Sequence, residues 1–203
     1  MALALLLVAL HGWIAWTGGV AGNWPLYSTF GLRLPAMPEG RIWQLVTYGF
    51  LHGSCSHVLL NAGVVLWIGP RLERMTGAWW MVATALAGIV AGGIFHLLLG
   101  VTQDALLVGF SGGCMALLLL LCTILPDSRV LFPGLSAGNL GRGILWAELI
   151  LMLIDPAKNW PVLGEIGRRI EPWGGAVFQM GHACHFGGAL TGWAIGKWWE
   201  GRR

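Results

Sequence analysis

Three short stretches of the chain carry side chains able to do acid–base or nucleophilic chemistry: "HGSCSHVLLN" (52–61), "GFSGG" (109–113) and "MGHACHFGG" (180–188). A serine hydroxyl becomes a good nucleophile only when a positioned base takes its proton, and histidine is the usual base. Ser111 and His185 supply that pairing. Acyl transfer also needs hydrogen-bond donors where an oxyanion develops on the attacked carbonyl. His57 and Asn61 lie four residues apart, so they stack on one helix face and offer side-chain donors. A serine at a helix N-terminus adds the backbone N–H groups that the first turn leaves free. Together these residues predict a hydrolytic site.

The elements that must hold them are written in hydrocarbon. Of 203 residues 56% are hydrophobic and only 10% charged, against about 25% charged in a soluble domain. Too little polar surface remains to cover such a chain in water, so a soluble protein is excluded and an integral membrane protein expected. Six apolar segments can be drawn, near 1–20, 54–73, 78–100, 110–126, 140–155 and 179–199, several approaching the roughly 20 residues that cross a bilayer. Pro126, Pro133 and Pro156 punctuate the later ones. The expected fold class is all-α, a polytopic six-transmembrane-helix bundle forming one domain over residues 1–203. The opening "MALALLLVALHGWIAWTGGVAG" lacks a positively charged leading region and reads as a retained first helix rather than a cleaved signal. Residues 21–53 form a long aromatic first loop in the membrane interface, and the stretch from Pro156 to Gly181 forms a second loop at the same surface.

With six spans, the even-numbered helices all start from one side of the membrane. His57 and Asn61, Ser111, and His182 with His185 lie at the starts of the second, fourth and sixth segments. All three groups therefore share one leaflet, opposite the termini. Polar groups within membrane segments are costly and point to function. Gly188, Gly192 and Gly196 repeat every four residues, a spacing that lets a neighbouring backbone come close. Gly109, Gly112 and Gly113 permit the matching approach around Ser111. His185 lies one turn outward from Gly188, which makes it a hydrogen-bond partner for Ser111. Seven basic residues on the side of the termini against five opposite favour cytoplasmic termini.

Other readings are weaker. A net charge of +3 without a basic run excludes nucleic-acid binding. His11 and His96 read as packing residues, and Cys114 and Cys122 as small hydrophobes. A metal site from His52, Cys55, His57, His182, Cys184 and His185 has ligands of the right kind, but HxxCxH and HxCH are not recognised ligand spacings. No metal and no cofactor is assigned.

The three motifs, in this order and spacing, resemble the rhomboid family of intramembrane serine proteases. "WQLVTYGFLHGSCSHVLLNAGVVLWIGPRLERMTG" is similar to the end of the family's first loop and its second helix, with the HxxxN pattern. "GFSGG" resembles the GxSG around the nucleophile, and "HFGGALTG" the late histidine followed by small residues. The resemblance implies Ser111 as nucleophile and His185 as general base and later general acid. It implies an oxyanion hole from His57, Asn61 and the backbone N–H groups of Ser111 and Phe110. It further implies cleavage of single-span transmembrane proteins within the lipid bilayer, in a prokaryotic inner membrane, with the site facing the extracytoplasmic leaflet. The alternative it leaves is a catalytically inactive rhomboid-like binding protein for membrane clients. The family works with a Ser–His dyad, and no acid is read as orienting His185; Asp104, Asp127 and Asp155 read as solvated charges at loop or helix ends. Three features depart from or extend the pattern. Trp43-Gln44 stands where Trp-Arg is common, Cys184 replaces a small residue before His185, and Glu73 is expected to bond backbone or arginine groups.

Overall fold

The computed structural model describes residues 1–100, 106–129, 134–178 and 180–202. Among these the chain is helical: α1 (Ala2–Trp16), α2 (Gly19–Gly22), α3 (Trp24–Phe30), α4 (Gln44–Thr47), α5 (Cys55–Thr76), α6 (Ala78–Leu99), α7 (Ser111–Ile124), α8 (Ala137–Leu153), α9 (Leu163–Phe178) and α10 (His182–Glu200). The two long helices α5 and α6 are separated by Gly77 alone, whose φ of +87° is open to glycine and strained for other residues. Ser54 caps α5 by accepting the His57 N–H at 3.2 Å, and Ser136 caps α8 by accepting that of Asn139 at 3.3 Å.

The centre of the bundle is α7, packed against α10, α6, α5 and α8. Eleven of its fourteen residues are buried, the pattern of a helix that is apolar all round and enclosed on every side. Its close approach to α10 follows from the glycine repeat. Gly188 rests on the backbone of Gly112 and Gly192 on that of Ala116, while a Cβ at Gly196 would lie 2.6 Å from the Thr123 Cβ. Gly88 of α6 meets the same Gly112–Ala116 stretch from the other side. The second residue of α7 is thus level with Gly88, which lies eleven residues before the end of α6, or roughly 16 Å along the axis. Ser111 therefore begins its helix deep in the bundle rather than at its rim.

Several expectations need adjustment. The "loop" 21–53 contains the short helices α3 and α4 and two 3-10 turns (Leu34–Ala36 and Tyr48–Phe50), and the connection after α8 carries the sixteen-residue α9. That helix is interrupted at Gly174 (φ −148°, ψ 29°) and contains Pro172. Of the six apolar segments, α6 is the one unbroken helix among the described residues that is long and apolar enough by itself to cross a membrane. The Gln44–Phe50 segment and α5 pass only as a pair bent by 98°, and α1 and α7 are shorter apolar helices. Glu73 is exposed and makes no ion pair among the described residues, so its expected structural bonding is not found. Gln44, which stands where arginine is common, is by contrast wholly buried and anchors the first loop. Its amide donates to the Ser28 and Thr29 carbonyls (3.3 and 3.1 Å) and its oxygen accepts the Arg33 N–H (3.2 Å). Trp43 Nε1–H and the Thr47 hydroxyl add bonds to the Thr29 and Phe30 carbonyls (3.0 and 2.7 Å), so three side chains knit the first loop.

Candidate active site

Two loop contacts bring the GFSGG stretch to the first loop. Leu107 pairs with Leu32 through reciprocal backbone bonds of 3.0 Å, and the Gly109 N–H donates to the Tyr48 carbonyl at 3.0 Å. Tyr48 is itself fixed by donating its hydroxyl to the Ile89 carbonyl of α6 at 2.7 Å. Gly109 has φ +122°, and a Cβ there would lie 2.5 Å from the His57 ring. Only glycine satisfies both the backbone and the space. Gly113 instead faces the Phe110 ring and the Ala85 carbonyl, so of the three glycines around Ser111 it is Gly112 that meets α10.

Ser111 opens α7, with no side chain capping the helix. Its partly exposed hydroxyl lies 2.9 Å from the His185 Nε2. One turn of α10 sets that distance, because Gly188 seats the helix directly on Gly112. An imidazole nitrogen so placed can take the hydroxyl proton, and the uncapped N–H groups of the first turn can receive an oxyanion.

On the α5 side the structure assembles a tight polar group. Asn61 Nδ2 donates to His52 Nε2 at 3.0 Å, and the Phe110 N–H points to the same nitrogen at 3.4 Å. A nitrogen that accepts two N–H groups carries no proton, so His52 holds its proton on Nδ1. The His57 ring stands edge-on to His52 with centroids 5.0 Å apart, and covers Gly109. The Phe110 N–H, expected among the oxyanion donors, is directed at His52 in this structure. His52 was not singled out for this role. It is fully buried, and its carbonyl also receives the Tyr27 hydroxyl at 2.6 Å.

On the α8 side the structure overturns the expectation that no acid attends His185. Glu148 is buried, with Oε1 3.4 Å from His185 Nδ1 and Oε2 2.6 Å from His182 Nδ1. The first contact is at ion-pair distance but is not aligned as a hydrogen bond, and His185 Nδ1 has no other partner. His182 Nε2 meets the Val177 carbonyl at 2.8 Å. A carbonyl only accepts, so that nitrogen carries a proton, and the short Nδ1–Glu148 contact holds one further proton between the two groups. Asp155 is not a solvated charge either: it is buried and accepts the Ala157 N–H at 3.0 Å. Asp104 lies outside the described residues. A signal for Glu148 did exist, since an ionisable residue within an apolar segment marks function by default. It lies in α8, the helix that covers most of the fifth apolar segment drawn from the sequence.

The six-residue metal grouping does not assemble. Cys55 is exposed, Cys184 is enclosed beneath Tyr48, and among the described residues the one His/Cys/acid group within ligand reach is Glu148, His182 and His185.

Residues 39–199 match the Rhomboid domain family model. The chain belongs to the rhomboid family. Its relatives include the mouse rhomboid-related protein 4, 33% identical over 137 residues that make up 62% of this chain and 42% of the relative. The nematode Caenorhabditis elegans rhomboid-related protein 1 is 32% identical over 158 residues, 78% of this chain and 40% of the relative. Human rhomboid-related protein 3 is 36% identical over 93 residues, 46% of this chain and 22% of the relative. The chain therefore spans less than half the length of these curated relatives. The matched rhomboid region contains all three polar groups described above, from His52 to His185, and leaves α1 outside.

Proposed function

We propose that the chain is an intramembrane serine protease that hydrolyses peptide bonds of single-span transmembrane substrates. The observation that carries this reading is the 2.9 Å contact between Ser111 Oγ and His185 Nε2 at the uncapped start of α7. In the reaction the Ser111 hydroxyl gives its proton to His185 Nε2 as Oγ attacks the scissile carbonyl. The resulting oxyanion is received by the Ser111 N–H and its neighbours in the first turn, and by the free N–H of the Asn61 amide. His185 then returns the proton to the leaving amine, and water, activated by the same imidazole, releases the acyl group.

Glu148 adds a part that a Ser–His dyad lacks. A carboxylate beside Nδ1 favours the tautomer with Nε2 free and balances the imidazolium once it forms, the task of the third member of a triad. Because the carboxylate is shared with His182, Glu148 is a positioning residue rather than a group that touches substrate. The polar groups gather where Ser111 lies deep among apolar helices, which supports cleavage inside the bilayer; the seven-to-five bias of basic residues supports cytoplasmic termini with the site opening opposite.

The test is labelling of the purified full chain by a serine-reactive fluorophosphonate, together with cleavage of a model single-span substrate. Wild type should label and cleave, and Ser111→Ala and His185→Ala should do neither. Full cleavage by both variants would sink the assignment, and a folded wild type that neither labels nor cleaves would favour the binding-protein alternative.

A further inference from the structure

The Glu148–His182–His185 group has more capacity than proton handling requires. His182 and His185 are three residues apart on α10, so both rings project from one face, with centroids 6.1 Å apart and planes nearly perpendicular. One ring nitrogen of each and a Glu148 carboxylate oxygen all lie within 4.8 Å of one another, the Nδ1 atoms being those that face Glu148, and all three residues are buried. Two imidazoles and one carboxylate form a donor set that zinc uses with one position left for water.

Two further features point the same way. His185 Nδ1 is a buried ring nitrogen with no hydrogen-bond partner. His182 directs its other nitrogen to the Val177 carbonyl at 2.8 Å, the outer contact that a metal-binding histidine ordinarily makes. A cavity of about 280 Å³, lined by His182 together with His96, Asp155 and Met180, reaches the His182 member of the group and offers an access route.

We propose that Glu148, His182 and His185 form an inhibitory site for a divalent transition-metal ion of the zinc class. The ion binds Nδ1 of both histidines and the carboxylate. Its arrival displaces to solvent the proton held between His182 Nδ1 and Glu148. In His185 the proton moves from Nδ1 to Nε2, which then donates to Ser111 Oγ and has no lone pair left to take the hydroxyl proton. Occupancy thus disables the base without touching the nucleophile. The inhibitory consequence rests on the protease reading, whereas the site itself does not.

The experiment separates the two by titrating Zn²⁺ into the chelator-stripped, full-length Ser111→Ala chain in detergent, in competition with a chromophoric chelator. One ion per chain is expected, with affinity reduced at least tenfold by adding Glu148→Gln or His182→Ala. Co²⁺ in the same Ser111→Ala chain, with Glu148, His182 and His185 intact, should give the visible bands of a four-coordinate nitrogen and oxygen site. Absence of a stoichiometric site, thiolate charge-transfer bands from cysteine, or unchanged affinity in both double variants would overturn the proposal. The Co²⁺ spectrum decides even where a double variant fails to fold. With wild-type protein, Zn²⁺ should suppress fluorophosphonate labelling and a chelator should restore it; labelling unaffected at saturating ion would refute the inhibitory role. Since the titration uses the chain without its serine, it decides the metal site whether or not the wild type is active.

Discussion

Ser111 stands between two histidine groups that differ in kind. On the α5 side, His52, His57 and Asn61 hold no carboxylate; His52 and Asn61 are joined by an N–H to ring-nitrogen contact of 3.0 Å and surrounded by backbone. On the α8 side, His182 and His185 share a buried carboxylate at 2.6 and 3.4 Å. The first group can fix donors in place but has no charge with which to balance a proton. The second can accept, share and balance protons, and presents one nitrogen to the serine. In the proposed acyl-transfer reading, the division into a donor side and a proton side follows from that single carboxylate.

Removing the base should give the largest effect: His185→Ala is expected to abolish probe labelling and cleavage, with the bundle still folded because Gly188 and Gly192 seat α10. The donor side comes next. Asn61→Ala removes one oxyanion donor and should cost about 10²–10³ in kcat with little change in KM, read by cleavage kinetics on a model substrate. If KM rose instead and kcat held, the α5 side would be a binding surface and the contrast between the two sides would fail. On the proton side, Glu148→Gln keeps shape but removes charge and should slow probe labelling by about 10²-fold. The same change leaves buried histidines without their counter-charge, so a thermal melt should show a loss of roughly 3–5 kcal/mol. Labelling at the wild-type rate would return the site to a simple dyad.

The donor side was legible in the sequence and the proton side only half so, for a physical reason. His57 and Asn61 announce themselves because a spacing of four places both on one helix face, whatever the tertiary structure. Glu148 pairs with residues 34 and 37 positions away on another helix, and no local periodicity encodes that meeting. Its bare presence in an apolar segment was the one available cue. His52 was likewise visible as a residue but not as a hub, since its partners Asn61 and Phe110 converge only when the loop before α7 folds onto the start of α5. The glycine ridge read well because small residues at every fourth position predict close helix contact by themselves. What the pattern could not say is that Gly109 serves the His57 ring rather than α10. The span count is the weakest inference from hydropathy, because α7 is too short and too enclosed to look like an independent crossing.

Packing around the site should matter less than its charges, and it sorts in the same way. Gly188→Ala would drive a methyl group into the Gly112 backbone. Such overpacking costs about 1–3 kcal/mol and should move the Ser111–His185 contact, lowering both melting temperature and labelling.

Cys184 offers the mildest test. The thiol is fully buried at 3.4 Å from the Tyr48 hydroxyl, whose own proton goes to the Ile89 carbonyl, so the S–H donates to the tyrosine oxygen. It also fills the gap beneath Gly92 and Gly112. Cys184→Ala removes one sulfur and a weak hydrogen bond, while the primary tyrosine bond and the glycine ridge stay in place. A loss of about 1 kcal/mol is expected, with labelling within about twofold of wild type. A larger fall in labelling at unchanged stability would mean that Tyr48, which holds Gly109 through its carbonyl, transmits the position of Cys184 to Ser111. The boundary between packing and proton side would then run through Cys184, not beside it.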